Sequence, residues 1–230
     1  KLLLGDEAIA QAAIDSGLSG VYAYPGTPST EITEFIQLRE EKRGEAADKI
    51  CCRWATNEKT AMEGALGMSY MGKRALVCMK HVGMNVAADP FVNSAMTGVN
   101  GGLVVVAADD PSMHSSQNEQ DSRFYGKFAM MPIFEPSSQQ EAYEMTRAAF
   151  DLSEAVKLPV LMRVTTRMAH SRAVVNVTEE PRKQNEINRP EDVRTWILLP
   201  AFAKKRYVKL LEQQDDLMKA SVESKYNFYR

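Results

Sequence analysis

Cysteine is scarce in this sequence: Cys51, Cys52 and Cys78 are the full complement in 230 residues. They show neither the even pattern of a secreted scaffold nor a C-x-x-C spacing, which excludes a disulfide framework and gives no sign of a zinc or iron-sulfur site within the chain. Cys51 and Cys52 would alternate faces of a strand, so both are expected as small buried hydrophobes. Long apolar runs are missing as well. The longest, around Leu103 to Ala108, falls far short of the ~20 residues of a spanning helix. No charged start followed by an apolar signal core opens the chain. Nor does one sign of charge prevail, since 28 basic against 30 acidic side chains leave a net −2. No summed field therefore draws the protein to nucleic acid or anionic lipid, and the expectation is a cytoplasmic protein with neither as partner. Walker and G-x-G-x-x-G fingerprints are also absent, so phosphate binding by this chain is not indicated.

What is present is alternation. Short apolar runs bounded by turn residues occur at 20–24, 50–54, 74–79, 102–107, 132–135 and 159–164, and read as buried strands. Helical periodicity fills the intervals. A first helix is expected to be capped by Asp6 and to stop at Gly17, with others over 29–41, 57–70, 86–97 and 138–156. Ser137 and Gln140 have the spacing of a capping box for the last of these. Such alternation predicts an α/β fold, a doubly wound and mostly parallel sheet with helices on both faces. From about Thr178 the composition shifts, with 20 charged residues in the last 53 against 58 in all 230. The domain is therefore bounded at 1–177, and 178–230 is expected as a charged connector to a further C-terminal part.

Ligands in parallel sheets gather beyond the carboxyl ends of the strands. Four segments fall there: Tyr24-Pro25-Gly26-Thr27-Pro28-Ser29, Ala55-Thr56-Asn57-Glu58-Lys59, the loop from Lys80 to Asn85 containing His81, and the long polar loop from Asp109 to Arg123. All four are expected to converge on one rim. Taken alone none of them demands a function. Glu58 sits in the first turn of a helix capped by Asn57, where any surface glutamate gains a few tenths of a kcal/mol from the helix dipole. A loop histidine such as His81 is commonly a bystander.

Together, Tyr24-Pro25-Gly26-Thr27-Pro28-Ser29-Thr30-Glu31, Asn57-Glu58-Lys59-Thr60-Ala61 and Asp109-Asp110-Pro111-Ser112 running to Gln120-Asp121-Ser122-Arg123 resemble the pyrimidine-binding domain of the 2-oxoacid:ferredoxin oxidoreductases. The Lys80-to-Pro90 stretch is similar to the indolepyruvate branch, α subunit. The resemblance implies thiamine diphosphate, of which only the pyrimidine end is held here. Glu58 matches the carboxylate that hydrogen-bonds the aminopyrimidine ring nitrogen and so activates the cofactor. Pro25, Gly26 and Thr27 are the remaining cofactor contacts, and His81, Arg123 and Thr27 the candidates for gripping the 2-oxo acid. Pyruvate-type relatives carry a carboxylate-binding arginine just after the fourth strand, where this chain reads Val105-Val106-Ala107-Ala108-Asp109-Asp110. That departure is why His81 and Arg123 are singled out. Magnesium, iron-sulfur clusters, a diphosphate-binding domain, a second (β) subunit, ferredoxin and coenzyme A are implied for the remainder of such an enzyme.

Overall fold

The computed structural model describes residues 1–45 and 48–228. In chain order the elements are β1 (Leu2–Leu4), α1 (Gly5–Asp15), β2 (Leu18–Ala23), α2 (Thr30–Arg43), β3 (Cys51–Trp54), α3 (Glu58–Tyr70), β4 (Arg74–Lys80) and α4 (His81–Thr97). They continue with β5 (Leu103–Asp109), α5 (Arg123–Ala129), β6 (Ile133–Phe134), α6 (Gln139–Val156), β7 (Val160–Thr165), α7 (Thr166–His170) and β8 (Arg172–Val174). A 3-10 turn at Val193–Trp196 precedes α8 (Pro200–Glu212) and α9 (Gln214–Val222). Six strands form one parallel sheet in the order β3-β2-β4-β5-β7-β6. The short β1 and β8 pair antiparallel outside it.

The pleat explains why the strands read as unbroken apolar runs. Along β5, Val104, Val106 and Ala108 enter the core that α1, α2 and α6 cover. Leu103, Val105 and Ala107 enter the core on the opposite face, under α3, α4 and α5. A strand covered on both faces has no position left for a polar residue to face water. The small residues of α3 serve the same packing: a Cβ on Gly64 would lie 2.9 Å from the Tyr22 ring, so glycine lets the helix settle on β2.

Several local expectations are corrected. Asp6 does not cap α1. The chain passes straight from β1 into the helix at Gly5, so the extended Leu4 is the cap, and the Glu7 carboxylate accepts its N–H at 2.8 Å. At α6 the cap is Ser138 rather than Ser137, its hydroxyl accepting from the Glu141 N–H, while Glu141 reaches back to the Ser137 N–H. Cys51 and Cys52 are half-buried rather than buried because β3 is an edge strand. Burial still pushes the Cys52 thiol up to about 11, which leaves it inert near neutral pH.

Residues 182–196 lie along the amino ends of the strands. The Arg182 N–H donates to the Asp15 carbonyl at 2.8 Å, the Asn188 N–H to that of Met71 at 2.9 Å, and Trp196 stacks on Tyr70 with ring centroids 4.0 Å apart. Farther on, Leu210 of α8 is buried in the core under α4. Those contacts leave the carboxyl ends of β2 and β4 uncovered, while Tyr226 packs edge-on against Phe134 of β6 with ring centroids 5.8 Å apart.

Arg74, wholly buried at the start of β4, joins three elements. Its guanidinium donates to Glu154 at 2.7 and 3.0 Å, to Asp151 at 2.6 Å and to the Ser16 carbonyl at 3.1 Å. Arg74→Met fills a similar volume and keeps the stem packing but removes these charge-assisted bonds. Both carboxylates can turn to water, so the expected loss is about 2 kcal/mol. In a thermal melt of a chain this size that is a drop of roughly 4 to 8 °C, and an unchanged midpoint would show the network contributes nothing net.

Candidate functional site

The strand order reverses between β2 and β4: the chain leaves β2 for β3 on one side, then crosses back to β4 on the other. In such a sheet the carboxyl ends of these two strands open the crevice where ligands bind. The segments that follow β2, β3, β4 and β5 meet there.

Glu58 is the first residue of α3. Asn57, the cap, accepts from the Thr60 N–H at 3.0 Å and fixes where the helix begins. Glu58 is only 8 % exposed, and its carboxylate has no hydrogen-bond donor and no cation among the described residues. It lies over Gly83 in the first turn of α4, where a Cβ would be 2.7 Å from the Glu58 Cγ and Oε1. Only glycine leaves room for the carboxylate at this point. The residue is packed in place while its carboxylate stays open at the rim with its hydrogen-bonding capacity unspent, ready to receive a donor from a ligand.

His81, expected on a loop, is the first residue of α4, which starts five residues before the expected Val86 because the strand passes directly into the helix through the extended Lys80. The imidazole is wholly buried. Its Nε2 donates to the Asn118 carbonyl at 2.9 Å, and its Nδ1 is buried without a partner. Lys80 Nζ donates to the Ser115 carbonyl at 3.1 Å, so α4 and the polar loop are held together by two bonds to main-chain oxygens.

That loop is anchored by consecutive carboxylates at the end of β5. Asp109, wholly buried, accepts from the Ser122 N–H at 3.1 Å and from its hydroxyl, and pairs with Arg163 at 2.8 Å. Asp110 accepts from the Ser115 N–H at 2.7 Å and from Thr166 at 2.8 Å. Burial works against the Asp110 charge, but the bonds from Ser115 and Thr166 outweigh it and hold the carboxyl well below the usual range.

Of the loop after β2, the Gly26 N–H donates to the Thr30 hydroxyl at 3.0 Å and the Ser29 hydroxyl to the Gly26 carbonyl at 2.8 Å, which sets the turn into α2; the Thr27-Pro28 bond is cis. Pro25 and Thr27 are exposed, and the Gly26 Cα faces the Lys80 side chain. Glu58, Pro25, Gly26, Thr27 and His81 thus share one rim. Arg123 is placed differently. It is exposed at the start of α5, its fork taken by Asp121 at 2.6 and 2.8 Å and by Glu135 at 3.2 Å, so an incoming carboxylate would have to displace two anions. Gly83 and Asn118 escaped the sequence reading. A glycine in the first turn of a helix, where it weakens the helix, was the available signal for Gly83. A main-chain acceptor such as the Asn118 carbonyl leaves no trace in side-chain identity.

The fold and rim define a doubly wound α/β domain with an open crevice at the carboxyl ends of β2 and β4. Residues 11–214 match the family described as pyruvate flavodoxin/ferredoxin oxidoreductase, thiamine diphosphate-binding, and the chain belongs to that family. It is 45% identical over 228 residues to an indolepyruvate oxidoreductase subunit IorA of Archaeoglobus fulgidus, covering 98% of this chain and 36% of that protein. With the corresponding subunit of Thermococcus kodakarensis it shares 46% over 217 residues, covering 92% and 33%. A 2-oxoglutarate synthase subunit KorA of Methanothermobacter thermautotrophicus is 26% identical over 184 residues, covering 76% and 47%. The chain therefore spans about a third of the length of the indolepyruvate oxidoreductase subunits it matches. Its fold is that of a 2-oxoglutarate:ferredoxin oxidoreductase from Magnetococcus marinus, solved with 2-oxoglutarate, coenzyme A and succinyl-CoA bound, with a TM-score of 0.70 at 17% identity over 100% of this chain and 46% of that one. Among the described residues no helix is long and apolar enough to cross a membrane.

Proposed function

We propose that this chain is the pyrimidine-side domain of an oxidoreductase that oxidatively decarboxylates aryl pyruvates such as indolepyruvate, passing two electrons to ferredoxin and the acyl group to coenzyme A. The observation that carries the reading is Glu58: buried, unpartnered, seated on Gly83 at the point where the strand order reverses. A scaffold module has no use for such a carboxylate.

When bound, thiamine diphosphate supplies the carbon nucleophile and the electron sink for loss of carbon dioxide. Glu58 would hold the proton shared with the pyrimidine ring nitrogen, and Pro25 and Gly26 would shape the surface the ring lies against. The exposed Thr27 hydroxyl is left to donate to the 2-oxo acid; His81 would donate from Nδ1 only with a second proton on the ring, since its Nε2 proton is spent on Asn118, and Arg123 is a third on condition that it leaves Asp121. In this reading magnesium and the diphosphate-binding domain, the iron-sulfur clusters and the second subunit lie outside this chain.

Dye reduction by the complete enzyme with coenzyme A tests the assignment. Indolepyruvate is expected to exceed 2-oxoglutarate by at least ~10-fold in kcat/KM, a modest demand on an apolar side-chain pocket. Preference for 2-oxoglutarate would overturn the aryl assignment. In the same assay His81→Ala should raise KM by roughly 10-fold with kcat within about 3-fold, because a group gripping the unreacting carboxylate binds ground and transition states alike. His81→Asn, which keeps a polar atom near the Nδ1 position, should recover part of the loss. A fall in kcat at unchanged KM would move His81 into the chemistry.

A further inference from the structure

A second group of polar side chains gathers apart from Glu58, where α1 and α2 begin and α7 ends. Asp6, Glu31 and His170 each bring one ligand-type atom to within 4.8 Å of the others. Asp6 is wholly buried and neither of its carboxylate oxygens has a partner; Glu31 Oε2 is likewise buried and unpartnered. His170 Nε2 lies 3.5 Å from the other Glu31 oxygen. Burial, then the charges of Glu31 and Glu7, push the Asp6 carboxyl well above its ordinary range. Glu7 itself is spent on the Leu4 N–H. An orphaned carboxylate facing a second carboxylate and an imidazole lacks one thing, a positive charge between them.

We propose that Asp6, Glu31 and His170 bind a divalent transition-metal cation, zinc or manganese. The two carboxylates match its charge and the imidazole nitrogen selects it over magnesium and calcium, which take oxygen sets. Ligand atoms at about 2.0 to 2.2 Å from an ion are at most about 4.4 Å apart. Glu31 and His170, with side chains 36% and 34% exposed, have the freedom to close on the ion, whereas Asp6 is fixed. Spacing in the chain conceals the set, since the three residues are 25 and 139 positions apart. Bound there, the ion ties the starts of α1 and α2 to the end of α7. It also braces the turn after β2, because Thr30, beside Glu31, accepts the Gly26 N–H at 3.0 Å. The site is independent of the reading given to Glu58.

Chelator-treated protein titrated separately with zinc, manganese and magnesium chlorides, by calorimetry and by thermal melting, tests the proposal. One equivalent of zinc or manganese is expected to bind and to raise the melting midpoint by several degrees, with no response to magnesium at the same concentration. Asp6→Asn and His170→Gln should each weaken binding by at least ~10-fold, the scale on which a lost ligand or its support acts. His170 is exposed, so its variant keeps the comparison open should Asp6→Asn fold poorly. Absence of stoichiometric binding overturns the proposal, as does zinc binding unchanged in both variants, which would place the ion at the cysteines or at another histidine. A wild type that binds neither metal while Asp6→Asn melts higher would show Asp6 to be a buried protonated acid and nothing more.

Discussion

Glu58→Gln is expected to lower turnover of indolepyruvate by the complete enzyme by ~10² to 10⁴, the usual weight of a positioned acid-base group. The amide matches the carboxylate in size, so the seat on Gly83 and the Asn57 cap stay as they are, and the fold has no reason to change. On the proposed reading, what the variant loses is the ability to hold and release a proton at the pyrimidine ring nitrogen. Glu58 makes no hydrogen bond or ion pair among the described residues, so the amide forfeits no contact in the free protein. The melting midpoint should therefore stay level while activity collapses. Loss of stability together with activity would mark Glu58 as a structural residue, and retention of more than about half of the activity would remove it from the chemistry.

The residues that made the fold legible are those with a single structural solution. The runs at 74–79 and 102–107 are too short for helices and too apolar for a sheet with a wet face, so a parallel sheet covered on both faces was readable from them. The β1 and β8 pair was not, since three-residue strands joined across the whole domain at Leu3 and Ala173 carry no local pattern. Helix starts were misjudged where the chain passes from strand to helix without a turn. Leu4 and Lys80 occupy cap positions with no capping side chain bonded there, so rules built on Ser, Thr, Asp and Asn had nothing to find, and Asp6 and Val86 were read as the boundaries instead. At the rim, the place of Glu58 at a helix start was legible through Asn57 before it and through the motif it belongs to. The groups that give it a setting were not: its seat on Gly83 and the bond from His81 to Asn118 depend on which loops meet, a property of strand order rather than of spacing.

Gly83→Ala tests that seat directly, and is expected to cost about 10² in kcat/KM while the protein remains folded. The added methyl would fall 2.7 Å from the Glu58 Cγ and Oε1 and 2.9 Å from its Cδ, closer than real carbon atoms approach. All three atoms belong to the outer part of one side chain, so the contact is relieved by swinging the carboxylate aside rather than by moving backbone. Alanine also suits a helix interior better than glycine by roughly 0.5 to 1 kcal/mol, which offsets part of the crowding. The net change in stability should stay within about 1.5 kcal/mol, within the usual range for a single substitution. Catalysis has no such tolerance, since displacement of a positioned group by about 1 Å costs on the order of 10² in rate. The pairing with Glu58→Gln is informative because effects that act through one group do not add: the double variant should be no slower than Glu58→Gln alone. A double variant slower by the full additional factor of about 10² would mean that Gly83 acts through some other contact, and that the Glu58 carboxylate does not depend on the space this glycine leaves.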